Sequence, residues 1–452
     1  MSGNDSAMWP FVPFGSDKID TLRIVKTKGS YLYSDKGQKI LDASAGAAVG
    51  NIGWGRKEVA EVSAKALKGM SYALPPFITE EREHLVSILS EKWLPTPLNK
   101  VCFMGSGSEA VDNAIRLARQ YHLANGRTEK WKIIGRDVSY HGTSLAGLAV
   151  GGHAARRQEF EPMLMHAPHL PACYCLRCPM NKEPQSCSLE CAEHLEQIIH
   201  QAGSHTISAI IIEPIVGASG GAIVPPDGYL PTLAKICKHH EILLIADEVM
   251  TGFGRTGDSF AVNHWRVIPD ILVLGKGLSG GYASISALAT STDFCQQLTA
   301  AGIQPMYHTY GAHPAACAVS AKVLEIIHDE QLLLRVKRMS PTLSQKLKQL
   351  ELHPNVAQVR GMGFLYGIEV VKNSDTLERF SNKEGITLKI FEACLKRNCL
   401  VYFGGTGVVR DIILIAPHFI INEEEIDTIV NTLKLAINEV CNEILRSRVN
   451  YG

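Results

Sequence analysis

Four short apolar runs, separated by longer amphipathic segments, most strongly constrain how this chain can fold. The runs are residues 101–104, Ile207–Ile212, 242–246 and Ile271–Leu274. Uninterrupted apolar runs of this length are typical of strands buried on both faces of a parallel sheet. The intervening segments have helical spacing, most clearly in residues 108–120, 189–200 and 230–239. The alternation of strand and helix predicts an α/β fold with a mostly parallel sheet.

A change of pattern after about residue 315 predicts a second, smaller domain. The expected elements there are a long helix over 316–352, strands over 361–371 and 400–403, and a closing helix over 423–446. This mixture is typical of an α+β domain. We therefore expect a large domain over residues 61–315 and a small C-terminal domain over 316–452.

The N-terminal part of the chain is expected to pack with the small domain. Residues 24–42 contain turn signals at Gly29 and at 35–37, which predict a hairpin. We assign residues 1–60 to this N-terminal segment. Residues 1–20 are polar and aromatic and lack the basic and then apolar pattern of a signal peptide.

Composition excludes several classes of function. Lys plus Arg and Asp plus Glu each number 45, so the formal charge of the 452 residues is zero. This balance gives no support for nucleic-acid binding. No apolar run approaches the ~20 residues that a membrane-spanning helix needs. We therefore expect a cytoplasmic protein that binds neither nucleic acid nor membrane.

Chemically useful residues follow each of the four apolar runs. Glu213, Asp247 and Lys276 each come within two residues of the end of a run, and a Gly-Ser loop over 105–108 follows the first. Ligands of open α/β sheets bind beyond the carboxyl ends of the strands, so these groups are expected to share one cleft. Taken singly, each has a plain structural explanation: a helix cap, an ion pair or an exposed lysine.

The Gly-Ser loop opens a predicted helix and is a candidate anion site. Glycines let a phosphate approach the backbone, and the start of a helix presents free N–H groups and partial positive charge. A lysine that is partly desolvated at a strand end can act as nucleophile and base. Tyr140 could stack on a flat ring, or it could be an ordinary core or surface tyrosine.

Two motifs carry a resemblance to a known family. The segments 244–257 (LIADEVMTGFGRTG) and 275–282 (GKGLSGGY) strongly resemble class-III aminotransferases, and the resemblance extends from about Val49 to the C-terminus. It implies the fold type I of pyridoxal-phosphate (PLP) enzymes, with a seven-stranded, mostly parallel sheet. It also implies an enzyme that exchanges an amino group with a keto acid in two half-reactions, the ping-pong scheme.

The resemblance implies roles for individual residues around the cofactor. Lys276 resembles the lysine that binds PLP covalently, and Asp247 the carboxylate that keeps its ring nitrogen protonated. The other implied cofactor-binding residues are Val249 and Tyr140 beside the ring, Gly107 and Ser108 at the phosphate, Glu213, and Thr309. Thr309 is similar to the threonine that reaches the phosphate of a neighbouring subunit. This implies a homodimer or larger homo-oligomer with shared active sites.

Three positions bear on the substrates. Arg410 resembles the arginine that clamps a substrate carboxylate and moves aside for an apolar amine. Trp54 resembles the pocket tryptophan of pyruvate-dependent ω-transaminases. Ala218 stands where GABA and ornithine transaminases have a glutamate that pairs with the arginine. Together they favour pyruvate over 2-oxoglutarate as the acceptor.

Alternatives remain open at this point. A fold-type-I mutase or decarboxylase would use the same lysine and aspartate, and a non-catalytic PLP- or zinc-binding protein is a third possibility. The residues do not identify the donor. The candidates are β-alanine, taurine, diamines, arylalkylamines and 7-keto-8-aminopelargonate chemistry, and Trp54 disfavours the last of these without excluding it.

A cysteine cluster departs from the family pattern. Cys173 is followed by Cys175, Cys178, Cys187 and Cys191, and the last four have spacings that a tetrahedral zinc site can use. A cysteine-rich surface insertion with free thiols is the alternative. No metal is assigned to the active site.

Overall fold

The computed structural model of the protein describes residues 22–449. The first 21 residues of the predicted N-terminal segment therefore lie outside the described residues. Within the described range, no helix is both long enough and apolar enough to span a bilayer.

The strands form three sheets. In chain order they are β1 Ile24–Lys28, β2 Tyr31–Ser34, β3 Lys39–Asp42, β4 Leu98–Met104, β5 Lys132–Asp137, β6 Gly151–Gly152, β7 His169–Leu170, β8 Ile207–Ile212, β9 Leu243–Asp247, β10 Ile271–Leu274, β11 Ser286–Ser291, β12 Val356–Met362, β13 Leu365–Val370, β14 Cys399–Leu400, β15 Tyr402–Gly404 and β16 Ile412–Ile415.

The helices connect and cover these sheets. They are α1 Ala45–Ala48, α2 Lys57–Gly69, α3 Glu80–Ile88, α4 Gly107–Ala124, α5 Leu145–Val150, α6 Ala154–Arg157, α7 Glu190–Ala202, α8 Tyr229–His239, α9 Thr292–Ala300, α10 Pro314–Asp329, α11 Leu332–Lys348, α12 Ile386–Lys396 and α13 Glu423–Val449.

The central sheet has the strand order β4-β11-β10-β9-β8-β5-β6, and β7 pairs with β5 beside this path. The strands β10, β9, β8 and β5 pair in parallel, whereas β11 is antiparallel to both of its neighbours. Every residue of β8, β9 and β10 is buried. Helices cover both faces: α4 and α9 pack with one apolar cluster and α7 and α8 with another. The predicted α/β fold is confirmed. The strand count differs from the predicted seven by the two-residue strand β7.

Two smaller sheets flank the central one. The strands β12, β13, β16 and β15 form an antiparallel sheet, and β1, β2 and β3 form an antiparallel meander. The last strand of the meander, β3, pairs in parallel with β14 from the C-terminal part of the chain. The N-terminal segment and the C-terminal part are thereby joined by a common sheet.

Two predicted elements of the C-terminal part were wrong in detail. The single long helix over 316–352 is two helices, α10 and α11, because Gln331 adopts a left-handed conformation with φ of 53° between them. The single strand over 361–371 is the hairpin of β12 and β13. Gly363 turns between these strands with φ of 64°, and a β-carbon there would lie 2.3 Å from the backbone of Thr256, so only glycine fits.

Candidate active site

A cavity of about 550 Å³ lies at the carboxyl ends of the central strands. Asp247 ends β9, Glu213 directly follows β8, and the adjacent strands pair in register, Ile212 opposite Ala246. Seven of the predicted site residues line this one cavity: Gly107, Ser108, Tyr140, Glu213, Asp247, Val249 and Lys276.

The Gly-Ser loop leads into helix α4, as the sequence predicts. The side chain of Ser106 caps the helix by accepting a hydrogen bond from the Glu109 N–H, at 3.3 Å. A β-carbon on Gly107 would lie 3.2 Å from Cγ1 of Val249, so a side chain there would crowd the cavity. The start of this 18-residue helix therefore presents open backbone and partial positive charge to the cavity.

Asp247 is buried, and each of its two oxygens has one hydrogen-bond partner. Its Oδ2 lies 2.8 Å from Nδ1 of His141, and its Oδ1 accepts the backbone N–H of Val249 at 3.1 Å. The other ring nitrogen of His141, Nε2, is buried without a hydrogen-bond partner among the described residues. A buried carboxylate is costly unless hydrogen-bonded. The two contacts meet this cost and fix the orientation of the carboxylate.

Lys276 follows β10 and has a strained backbone, with φ of 41°. Left-handed conformations are rare for residues with a side chain, and where they occur they often mark functional sites. Burial lowers the pKa of the Lys276 ammonium below its usual range, and the carboxylates of Asp247 and Glu213 oppose this effect. A lower pKa makes the neutral amine, which is the nucleophile and base, more accessible.

Glu213 fixes the backbone around the cavity. Its two oxygens accept the N–H groups of Tyr140, at 3.0 Å, and of Gly217, at 2.8 Å. Burial raises the pKa of the Glu213 carboxyl. This carboxyl therefore connects the Tyr140 loop to the end of β8.

The lining residues fit pyridoxal phosphate. The open start of α4 suits the phosphate. A buried carboxylate held by His141 suits a protonated ring nitrogen, and Lys276 suits covalent attachment. The contact of 3.2 Å between a β-carbon at Gly107 and Val249 indicates that this part of the wall leaves little room for a larger residue at Gly107.

His141 and Arg156 are among the cavity residues that the sequence reasoning misses. His141 stands next to Tyr140 in the sequence, but its partner Asp247 is 106 positions away. The Arg156 guanidinium lies 4.6 Å from the centre of the Tyr140 ring. Its neighbour Arg157 is also an arginine, so the sequence does not indicate which of the two faces the cavity.

Three predicted residues lie outside the cavity lining. Trp54 donates its indole N–H to Asp42 at 3.2 Å and packs edge-on against His418. The Arg410 guanidinium donates to the carbonyl of Phe380 at 2.5 Å, so it is turned away from the cavity. Thr309 is exposed.

Strand β15 of the C-terminal part supplies the opposite wall of the cavity. Tyr402, Phe403 and Gly404 line it together with Ala218. A β-carbon on Gly404 would lie 2.1 Å from the carbonyl oxygen of Ala218, so the two segments are in close contact. The cavity is therefore closed by residues far apart in the chain.

The cysteine cluster does not bring the ligands of a metal centre together within residues 22–449. All five thiols are free, and Cys175 is exposed. Cys187 instead donates to a carboxylate oxygen of Glu190 at 3.3 Å. Across residues 22–449, no group of three or more His, Cys, Asp or Glu side chains could hold a metal ion. The zinc hypothesis thus finds no support in this part of the chain.

Comparison with known proteins identifies similar chains. Residues 12–437 match the family model described as aminotransferase class-III. The putrescine–pyruvate aminotransferase of Pseudomonas aeruginosa is 32% identical over 452 residues, which cover 98% of this chain and 96% of that protein.

Two solved structures are similar across nearly their whole length. The (S)-enantioselective omega-transaminase of Thermomicrobium roseum has a TM-score of 0.88 and 33% identity, and 93% of each chain is covered. The omega transaminase of Pseudomonas jessenii in complex with PMP has a TM-score of 0.88 and 28% identity, again with 93% of each chain covered.

Proposed function

Because the chain belongs to the class-III aminotransferases, which are PLP-dependent enzymes, we propose that it transfers the amino group of an amine or ω-amino acid to pyruvate in a ping-pong cycle. The observation that carries this proposal is the shared cavity of Lys276, Asp247 and the start of α4. The relative from Pseudomonas aeruginosa, whose name includes pyruvate, supports the choice of acceptor.

The residues of the cavity have separate roles in the proposed reaction. PLP supplies an electron sink when it is bound. Asp247, oriented by His141, keeps a proton on the ring nitrogen. Lys276 would hold the cofactor covalently, and its Nζ would take the proton from the amine-bearing carbon of the donor. Its lowered pKa favours the neutral amine that this task requires.

The remaining cavity residues hold the cofactor in place. Gly107 and Ser108 at the start of α4 bind the phosphate. Val249 and Tyr140 contact the ring, and Glu213 keeps the Tyr140 loop in position through its backbone hydrogen bond of 3.0 Å.

Pyruvate is favoured by the wall around Ala218. Ala218 lines the cavity and has no carboxylate that could pair with Arg410, so no built-in partner competes with the keto acid for this arginine. Arg410 binds the α-carboxylate of the acceptor after its guanidinium leaves the Phe380 carbonyl. Trp54, held by Asp42 and His418, shapes the pocket from behind the α1 turn.

We also propose a homodimer in which Thr309 contacts the cofactor phosphate of the partner subunit. Thr309 is exposed in the single chain, and large apolar side chains nearby in the sequence are exposed too, Tyr307 by 56% and Tyr310 by 70%. Exposed apolar groups of this size are typical of an interface. Sedimentation should give the mass of a dimer, and Thr309→Ala should weaken cofactor binding. A monomeric active enzyme would contradict this proposal.

We also propose a cytoplasmic location, which the free thiols support. All twelve cysteines are free, which is typical of reducing compartments. Fractionation of cells that express the protein should recover it with cytoplasmic markers, and recovery from a secretory compartment would contradict this.

A donor panel tests the proposed function. The holoenzyme is incubated with pyruvate and putrescine, β-alanine or an arylalkylamine, and alanine is measured. Alanine should appear only when donor and pyruvate are both present. Release of CO₂, or an internal amine shift without pyruvate, would indicate a decarboxylase or mutase instead.

A further inference from the structure

Two adjacent arginines on α6 have opposite environments. Arg157 donates to the carbonyls of Ala149 and Gly151, at 2.9 and 2.8 Å, and pairs with Glu161 at 3.0 Å. The guanidinium of Arg156 has no hydrogen-bond or ion-pair partner within residues 22–449 and instead lies over the Tyr140 ring. Arg157 therefore stabilises the fold, whereas Arg156 is left available.

Arg156 is also a wall residue of the catalytic cavity. The carboxylates of the cavity are already engaged, Asp247 by His141 and Glu213 by two backbone N–H groups. The positive charge of Arg156 contributes to the lowered pKa of Lys276, so the two groups act within one space.

From this arrangement we infer that Arg156 binds the acidic group of the amino donor. The donor is thus an ω-amino acid, with a carboxylate or sulfonate at the end opposite the amine. This inference rests on the proposed function and narrows its substrate class. A planar guanidinium binds such an anion through paired hydrogen bonds, and stacking on Tyr140 orients it before the substrate arrives.

The two arginines that bind substrate would then serve different half-reactions. Arg156 faces the cavity and would hold the distal anion of the donor, which leaves the amine free to approach Lys276. Arg410 is turned toward Phe380 and would be recruited for the α-carboxylate of the acceptor. Substitution of Arg156 should therefore affect the half-reaction with the donor, and substitution of Arg410 the half-reaction with the acceptor.

The experiment compares anionic and neutral donors of similar size. The first half-reaction is followed by the cofactor absorbance of the holoenzyme with β-alanine, taurine or butylamine, in the parent protein and in Arg156→Gln. The substitution should lower kcat/KM for the anionic donors by about 10- to 100-fold, the usual effect of losing a hydrogen bond to a charged group. The value for butylamine should change by less than about threefold. Comparison of β-alanine with taurine shows whether Arg156 prefers a carboxylate or a sulfonate.

Arg156→Lys and Arg338→Gln complete the design. The lysine keeps the charge and should restore part of the loss. Arg338 is exposed on α11 and outside the cavity lining, so its substitution controls for net charge. Cofactor affinity and the thermal midpoint are measured for every variant.

Several outcomes would overturn the inference. They are an equal loss for all donors, a loss of cofactor affinity with donor selectivity unchanged, a rise in KM confined to pyruvate, or a parent protein that uses butylamine but neither anionic donor. If no amine converts the cofactor of the parent protein, the proposed function itself fails, and that result is distinct from the others.

Discussion

The floor and the rim of the cavity differ in how the chain fixes them. The floor, which we define as Gly107, Ser108, Asp247, Val249 and Lys276, lies where strands of the central sheet end. The rim is our name for Trp54, Arg156, Thr309 and Arg410, of which Arg156 lines the cavity and the other three lie outside its lining. These residues come from loops and one short helix in distant parts of the chain. Strand register fixes the floor, since Val273 pairs with Asp247 just before Lys276. No comparable ladder fixes the rim.

This difference suggests separate tasks: the floor carries out the chemistry, and the rim selects the substrate. The floor carries groups that any amino donor requires. Asp247 among them is buried and hydrogen-bonded to His141 and to the Val249 N–H. The rim carries two arginines. Arg156 lies over the Tyr140 ring, and Arg410 donates to the Phe380 carbonyl. Variants of the floor should therefore lower activity with every substrate, whereas variants of the rim should change the order of preference among substrates.

Replacement of Lys276 by alanine should have the largest effect. It removes both the covalent attachment of the cofactor and the group that moves the donor proton, so kcat should fall by about 10⁴-fold or more. Alanine formation from pyruvate measures this loss. After borohydride reduction, mass spectrometry should find the cofactor attached to the parent protein but not to the variant.

Lys389→Ala provides the matched control, because Lys389 is exposed on α12. Its activity should equal that of the parent. If Lys276→Ala lost less than about tenfold with any donor, Lys276 could not be the group that moves the proton.

Asp247→Asn should have the second largest effect. The substitution keeps the shape but removes the charge that holds the proton on the ring nitrogen. We expect kcat to fall by about 10²- to 10³-fold with every donor, similar to the loss of one preorganised electrostatic contact elsewhere. Steady-state rates with anionic and neutral donors measure it.

His141→Ala tests whether His141 acts through Asp247. The loss of their contact of 2.8 Å should cost about tenfold in kcat, equally for all donors. In the double variant with Asp247→Asn the two losses should not add, because they share one contact. Full additivity would mean that His141 acts independently of Asp247.

The floor was largely predictable from the sequence, because its residues belong to short contiguous motifs at strand ends. A short apolar run followed by a glycine, carboxylate or lysine marks a strand end, and the motifs around Asp247 and Lys276 are contiguous. The family, the cofactor and the fold could be inferred from these residues. The division into residues 1–60, 61–315 and 316–452, and the individual roles of the site residues, stay predictions.

The rim was less predictable because its geometry depends on contacts between distant segments. The pairing of His141 with Asp247 and the outward orientation of Arg410 arise from tertiary packing that no local pattern encodes. The break at Gln331 was likewise hidden, since the apolar spacing continues across it. The positions of Arg156 and Arg157 are adjacent in the sequence and differ only in the partners that the fold provides.

Arg410→Gln should have a selective effect, on the KM for pyruvate and not on the reaction with a neutral amine. In the structure, Arg410 contacts the Phe380 carbonyl, so its loss should leave the half-reaction with a neutral amine unchanged. The KM for pyruvate should rise by about 10- to 100-fold, since a charged hydrogen bond to the acceptor is lost. Separate kinetics of the two half-reactions measure this. An equal effect on both half-reactions would mean that Arg410, like the floor residues, acts with every substrate.

Glu248→Gln should change stability without changing catalysis, although Glu248 is the direct neighbour of Asp247. Glu248 is fully buried and accepts hydrogen bonds from Thr251 and from the Val262 N–H, the latter at 2.8 Å. Burial raises the pKa of its carboxyl from 4.5 to about 7. Between pH 4.5 and about 7, the native state therefore holds a proton that the unfolded chain has lost.

Because the native state binds the extra proton, this group makes the free energy of unfolding fall as the pH rises from 4.5 to about 7. The fall should be about 3 kcal/mol and should disappear in Glu248→Gln. Thermal midpoints across this pH range measure it, with Glu159→Gln, at an exposed position, as the control. If the stability of Glu248→Gln depended on pH as strongly as that of the parent, Glu248 would have to be ionised in the native core. A change in donor preference would mean that it also acts on the floor.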